Sequence, residues 1–495
     1  MRECDGKEAM NSRLGLLFVA GIILWIAGCS SSNNSSTVTG ITAGCAPDII
    51  QSSQMIQCTA TLTGTGMFET TVTWMANAGS ISSAGVFTAP VVSVPTLVSI
   101  SATSVQNTSQ KSTITVTVNP VNLLPVTVDA GPQPQTFAAV NEAFASVTVC
   151  VPSTDTCQTI DHVLVDTGSS GLRLLSSVLT LALPSQIDSS GNPLDECTVF
   201  LDSYVWGPVA LADVSITGEK AASVPIQVMI PDSGSPPVPA SCSSQSMGTN
   251  AGNSVSALGA NGILGVGLFQ QDCGTNCATG NGSAPPVYYD CPASGCNPTY
   301  VPVAQQVPNL VTKFSLDNNG VMISLPSVPT GGLSSVNGTL IFGIGTQSNN
   351  ALQSATVYTV PDSGPNAGDI TTTFNGVSYP SSFIDSGSNG IFFLDSATTG
   401  IATCNIQGST WYCPATSPTG LTATNQGTNG NQGVVNFSIE DATRLLNSGN
   451  TAFSTLSAPL PGSFDWGLAF FYGRNVTTAI ENMSTPAGPG PFVAY

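Results

Sequence analysis

Residues 163–175 read Val-Leu-Val-Asp-Thr-Gly-Ser-Ser-Gly-Leu-Arg-Leu-Leu, and residues 382–394 read Ser-Phe-Ile-Asp-Ser-Gly-Ser-Asn-Gly-Ile-Phe-Phe-Leu. Superposed without a gap, the two stretches share Asp, Gly, Ser, Gly and the final Leu, and both are flanked by apolar residues. Each predicts a buried strand, a tight hydroxyl-rich turn and a second buried strand. A second pair of related segments follows. Asn-Gly-Ile-Leu-Gly-Val-Gly-Leu-Phe at 261–269 parallels Ser-Phe-Asp-Trp-Gly-Leu-Ala-Phe-Phe at 463–471. Two motifs repeated in the same order predict two related lobes.

Asp166 and Asp385 are the candidate chemical groups of the repeat. Asp-[Ser/Thr]-Gly-[Ser/Thr] is weak evidence alone, because any turn favours those residues. Asp232-Ser233-Gly234-Ser235 also fits it, but that copy follows Pro231, runs into Pro236-Pro237 and reads as a loop. Asp166 and Asp385 each end an apolar strand. A carboxylate held there sits in water-poor surroundings, where a partner charge strongly alters its proton affinity.

From about Asn141 to Tyr495 the order of motifs resembles the pepsin-like aspartic proteases: strand, Asp-Thr-Gly-Ser, strand, then apolar-apolar-Gly, once per lobe. Asp166-Thr167-Gly168-Ser169-Ser170-Gly171-Leu172 goes with Ile263-Leu264-Gly265. Asp385-Ser386-Gly387-Ser388 goes with Asp465-Trp466-Gly467, whose first position is a looser match. Gly338-Thr339-Leu340-Ile341-Phe342-Gly343 resembles the strand that opens the family's second lobe, and Cys- and Pro-rich insertions lie near 230–300. The resemblance implies an all-β, bilobal double-β-barrel domain with lobes at 141–325 and 326–495. It implies an endopeptidase in which Asp166 and Asp385 share a proton and activate a water. Thr167 and Ser386 would link the two loops across the lobes. Ser169 and Ser388 would bond the outer carboxylate oxygens, with Gly168 and Gly387 completing the supporting set. The implied partner is a peptide or protein substrate; no cofactor and no metal are implied, and a monomer is expected. A bacterial lipoprotein family of unassigned function is also similar.

Two departures from the family stand out. Arg173 occupies a position where the family usually has Trp, and is expected to point to solvent as an ordinary strand residue. Pointing inward instead, it would depress the pKa of the pair. The flap that closes over substrate is sought at 203–209, with Tyr204 or Trp206 as the covering aromatic; an aromatic-bearing surface turn is the competing reading.

The remainder of the chain supplies context. Arg13 precedes the apolar run Leu14 to Ile26, which is short for a spanning helix and suits a signal peptide. Ile26-Ala27-Gly28-Cys29, followed by a Ser/Asn run, resembles a bacterial lipobox. Residues 1–28 are expected to be removed, Cys29 to carry lipid and 29–37 to form a tether. The protein is then anchored in the bacterial cell envelope, and Ser30 suggests the outer membrane or cell surface.

Removal of Cys4 with the leader leaves Cys29 and an even number of other cysteines, which argues for disulfides outside the cytoplasm. Cys45 with Cys58, Cys150 with Cys157, Cys197 with Cys242 and Cys404 with Cys413 are candidate pairs. Cys273, Cys277, Cys291 and Cys296 form two bridges or, less in keeping with an oxidising compartment, a zinc site. Short alternating strands with a central Trp74 over 38–118 predict a small β-sandwich that resembles bacterial immunoglobulin-like surface domains. Residues 119–140 are read as a linker.

Nine Lys and Arg against 28 Asp and Glu give a formal charge of −19, which opposes nucleic-acid binding. His162, the sole histidine, lies on the strand leading to Asp166, so a Ser-His-Asp site and a histidine-ligated metal are almost excluded. The alternatives to a protease are a catalytically silent pepsin-like binding module and a surface adhesion lipoprotein.

Overall fold

The computed structural model describes residues 36–495 except 93, 134–137, 246–249, 280–286 and 418. The expected signal peptide, Cys29 and residues 30–35 of the expected tether lie outside the described residues.

Two four-stranded sheets are built from residues 37–119. One contains Thr37–Ala46, Met55–Thr65, Ser80–Ile81 and Val86–Thr88; the other contains Ile49–Gln51, Val72–Ala76, Thr96–Ser104 and Lys111–Asn119. The alternation along Thr96–Ser104 turns Val98, Ile100 and Ala102 inward at 0% exposure and leaves Leu97 outward. Val98 and Ile100 share a core with Ile50, Ile56, Phe87, Val116 and Val118, against which Trp74 packs.

The rest of the chain forms a larger all-β body whose described helices span at most five residues. In its first half we name β1 (Cys157–Asp166), β2 (Ser170–Leu175), β3 (Leu194–Val199), β4 (Ser203–Ile216) and β5 (Gly262–Val266). β5 runs between the two arms of the Asp166 turn. It is parallel to β1, with Val165 opposite Leu264, and antiparallel to β2, with Leu172 opposite Leu264. Every residue of β5 is buried, which is why it reads as an unbroken apolar run rather than an alternation.

The second half repeats the arrangement with β6 (Val377–Ile384), β7 (Ile391–Leu394), β8 (Leu460–Trp466) and the short helix α1 (Leu468–Phe471). β8 is parallel to β6, with Ile384 opposite Trp466, and antiparallel to β7, with Ile391 opposite Trp466. The sequence repeat is therefore a structural repeat, and the fold is all-β and bilobal.

A continuous sheet joins the halves. Leu123–Val128 pairs with Ala143 and Phe144 on one side and with Val336 to Ile341 on the other. Next come Gly320–Leu325 and Arg474–Ala479. This corrects the reading of 119–140 as a linker, and the proposed lobe boundary after 325 falls at the end of one of these strands. Pro125 looks like a break in the sequence. It is tolerated because only Val128 and Thr127 pair on the strand's other side.

Six disulfides are present among the described residues: Cys45–Cys58, Cys150–Cys157, Cys197–Cys242, Cys273–Cys277, Cys291–Cys296 and Cys404–Cys413. Cys45 and Cys58 face each other across antiparallel strands, as do Cys150 and Cys157. The four cysteines between 273 and 296 are bridged in sequence order, so none of them is a thiolate free to ligate a metal.

Candidate active site

Asp166 ends β1 and Asp385 follows β6 directly. The paired β5 and β8 strands fix both turns, and the turns meet. The Ser386 amide donates to Thr167 Oγ1 at 2.9 Å, and the Thr167 amide donates to Ser386 Oγ at 3.1 Å. Each hydroxyl then reaches the opposite strand: Ser386 Oγ donates to the Val165 carbonyl at 2.7 Å and Thr167 Oγ1 to the Ile384 carbonyl at 3.5 Å. These reciprocal bonds lock one lobe's turn to the other's.

Within each turn the carboxylate is held the same way. Gly168 N donates to Asp166 Oδ1 at 2.7 Å, and Gly387 N to Asp385 Oδ1 at 2.8 Å. On the other oxygens, Ser169 Oγ donates to Asp166 Oδ2, and Ser388 Oγ donates to Asp385 Oδ2 at 3.1 Å. The glycines also make room for the facing acid. A Cβ on Gly168 would lie 2.6 Å from Asp385 Cγ, and one on Gly387 would lie 2.6 Å from Asp166 Oδ1. Gly387→Ala should therefore push the carboxyls apart and cost about 1–3 kcal/mol of stability, read as a lowered melting temperature.

Burial pushes the Asp385 carboxyl well above the usual carboxylate range, and the neighbouring Asp166 and Asp465 push it further. Asp465, on β8, is itself 2% exposed. Burial raises it to about 8, and the Asp166 charge acts in the same direction.

Arg173 does not point to solvent. Its side chain is fully buried, with Nη2 2.6 Å from Glu196 Oε1 and 3.7 Å from Asp272 Oδ2. Nε donates to Thr198 Oγ1 at 2.9 Å and Nη1 to the Ser170 carbonyl at 2.7 Å. Its partners come from β3 and from the segment after β5, which strand periodicity around Arg173 does not reveal. Burial alone would lower its pKa, but the Glu196 and Asp272 carboxylates outweigh burial and raise it. Asp272 is pushed well above its usual range by burial and by Glu196, while Tyr288 donates to it at 2.8 Å. Arg173 thus ties the Asp166 turn, through Ser170, to the β3–β4 hairpin.

That hairpin turns at 200–202 and covers a cavity of about 290 Å³ lined by Thr167, Ser169, Phe200, Phe269 and Asp369. The flap aromatics Tyr204 and Trp206 require correction. Both lie on the hairpin but face a satellite core with Tyr289 and the Cys197–Cys242 bridge. Their polar ends are occupied there: Tyr204 Oη donates to Asp232 Oδ2 at 2.8 Å and Trp206 Nε1 to the Pro236 carbonyl at 3.1 Å. Strand alternation turns them away from the cavity, and Phe200 is the hairpin aromatic that lines it. Neither aspartate lines this cavity, which borders the pair through Thr167, Gly168 and Ile384, while a larger cavity of about 450 Å³ near Arg474 and Tyr472 is lined by no residue of either turn. His162 sits between Asp129 and Asp161, 3.5 and 3.3 Å from their carboxylates.

Sequence reasoning missed Phe200, Glu196 and Asp272, which carry no motif. Asp465 did leave a signal, as the mismatched first position of the second apolar-apolar-Gly segment.

The pattern of the family described as Protein of unknown function (DUF3443) matches residues 118–495. The chain belongs to this family. The DUF3443 match begins where the N-terminal sandwich ends and takes in both lobes and both aspartates. No curated protein matches the chain. Among solved structures, the aspartic proteinase from Irpex lacteus is similar to this DUF3443 chain at 17% identity and a TM-score of 0.45, over 75% of this chain and 96% of that one.

Proposed function

We propose that the chain is a pepsin-like aspartic endopeptidase with Asp166 and Asp385 as its catalytic pair. The observation that carries this reading is the mirrored arrangement of the two carboxyls, each against the other lobe's turn glycine. Asp166 is buried and Asp385 half-buried, and two acids this close favour a state with one shared proton. The ionised member would take a proton from a water between them as that water attacks a peptide carbonyl; the protonated member would donate to the carbonyl oxygen. The pair titrates as a unit, so neither aspartate is assigned one role. The cavity beneath Phe200 would receive a substrate side chain, with an extended peptide pairing along the cleft.

The test is cleavage of a diverse peptide library from pH 2 to 8, with and without a statine-type inhibitor. Cleavage that peaks in acid and is blocked by the inhibitor is expected. A folded protein that cuts nothing at any pH would instead favour the binding-module reading.

Acid operation also agrees with stability. Burial raises Asp465 and Glu142 to about 8 and Asp195 to about 7. Between roughly pH 4 and 8 the folded chain therefore holds protons that the unfolded chain has released. Stability from these groups is fully present below the unfolded values and is lost as pH rises through the folded ones. The melting temperature should fall from pH 4 to pH 8; a flat or rising curve would contradict the assignment.

We further propose that Cys29 carries a lipid anchoring a monomer to the envelope, and that the N-terminal sandwich is an immunoglobulin-like spacer. The lipobox residues and the two-sheet core support these readings. Incorporation of labelled palmitate that disappears in Cys29→Ser is the expected result.

A further inference from the structure

The cavity of about 290 Å³ beneath Phe200 is walled by both lobes. Thr198 and Phe200 come from the first, and Ala367, Gly368 and Asp369 from the segment that enters the strand Ile370–Phe374 of the second. That segment packs on the first lobe, since a Cβ on Gly368 would lie 3.4 Å from both Leu268 and Phe269. Its own backbone holds it: the Gly368 amide donates to the Pro361 carbonyl at 2.8 Å, and the Asp369 amide to the Asn366 carbonyl at 3.0 Å. These bonds use the main chain of Asp369 and leave its carboxyl without a partner. Among the described residues, no group donates to that carboxyl and no cation forms an ion pair with it. Burial in the wall raises its pKa to about 6.

The other two charged groups of the wall, Arg173 and Asp272, are already matched. Arg173 lies 2.6 Å from Glu196, and Asp272 accepts from Tyr288 at 2.8 Å with Arg173 3.7 Å away. Asp369 is therefore the one charge of the wall left uncompensated, and Phe200, Phe269 and Phe383 give the same wall an apolar part. A side chain with an apolar stem and a cationic head satisfies both, its stem against the rings and its head on the carboxylate. We propose that Asp369 is a specificity-determining residue, which receives the ammonium or guanidinium of a substrate lysine or arginine whose stem lies against Phe200 and Phe269. The proposal rests on the peptidase reading and names the side chain that this cavity selects. The titratable and charged groups that share the wall with Asp369 do not replace it: Arg173 is held by Glu196, and burial and Glu196 push Asp272 well above its usual range, toward the neutral acid. As pH rises through about 6, Asp369 loses its proton while lysine keeps its own, so the preference should be absent at pH 4 and present at pH 7.

The test is binding of statine-type inhibitors that carry lysine or norleucine at each position in turn, a pair matched in stem and differing in charge. At one position lysine should bind about tenfold tighter than norleucine at pH 7, the contribution of one hydrogen bond between charged groups, and no tighter at pH 4. Asp369→Asn should equalise the pair at pH 7. Asp362→Asn, at an exposed acid of the same segment, should leave the preference intact, which separates one local carboxylate from the general pull of a chain of charge −19. No position favouring lysine at pH 7, a preference that survives Asp369→Asn, or one that is the same at pH 4 would each overturn the proposal. Norleucine inhibitors that bind while lysine gains nothing would sink the proposal and leave the peptidase reading standing. Folded wild type that binds no inhibitor of either kind would sink both. Should Asp369→Asn fail to fold, the comparison of pH 4 with pH 7 on wild type still decides.

Discussion

Asp385→Asn and Asp166→Asn should each lower kcat/KM for peptide cleavage by about a hundred- to ten-thousand-fold, the range for losing positioned acid–base catalysis. Asparagine keeps the shape of the side chain, so its oxygen can still accept from Gly387 N, which bonds Asp385 Oδ1 at 2.8 Å. Ser388 can turn to accept from the new amide. What is lost is the exchangeable proton and the charge. Because the two carboxyls act as one titrating unit, the double variant should be scarcely worse than either single one, as for other groups that act together. The folded state should not suffer. Burial and the adjacent acids raise Asp385, so its ionised form opposes folding. Neutralising one member removes that opposition, and the melting temperature at pH 8 should be equal or higher. Cleavage retained within tenfold by either single variant would remove the basis of the proposed mechanism. Lost cleavage together with a collapsed fold would leave only a structural role.

Much of this site was legible in the sequence because its geometry is local. A turn that must hold a carboxylate with its own glycine amide and hydroxyl writes all of its parts within four residues, as in Asp166 to Ser169 and Asp385 to Ser388. The pairing of each turn with a later apolar strand was also readable, since β5 is buried throughout and leaves an unbroken apolar signature. Contacts across long sequence separation were not readable. Thr198 and Glu196 meet Arg173 only because β3 folds over β2, and nothing near Arg173 encodes that approach. Leu123–Val128 was hidden by Pro125, whose missing N–H matters only on a side where the strand has no partner at that residue. Tyr204 and Trp206 were found in the correct hairpin, but strand alternation turns them toward the Cys197–Cys242 bridge.

Arg173→Met should destabilise the protein by about 3–5 kcal/mol, the usual cost of removing one partner from a buried ion pair. Methionine fills much of the volume, so the loss is electrostatic rather than a cavity effect. Without the guanidinium, Glu196 loses a partner at 2.6 Å, and its Oε2 is already buried without a donor. Asp272 retains Tyr288, which donates at 2.8 Å, but loses the only cation near it among the described residues. One of the two acids would have to take up a further proton, so the penalty should grow with pH and be smallest in acid. Two further changes separate charge from shape. Adding Glu196→Gln and Asp272→Asn to Arg173→Met removes the orphaned charges and should restore part of the stability, because neutral replacement of a whole buried cluster is tolerated better than loss of one member. Denaturant unfolding at pH 4 and pH 8 measures both effects. A single variant as stable as wild type at pH 8, or a triple variant no better than the single one, would show that the cluster does not pin the β3–β4 hairpin to the Asp166 turn. If it does, the single variant should also raise KM more than it lowers kcat, since Phe200 would lose its fixed place over the cavity while both aspartates keep theirs.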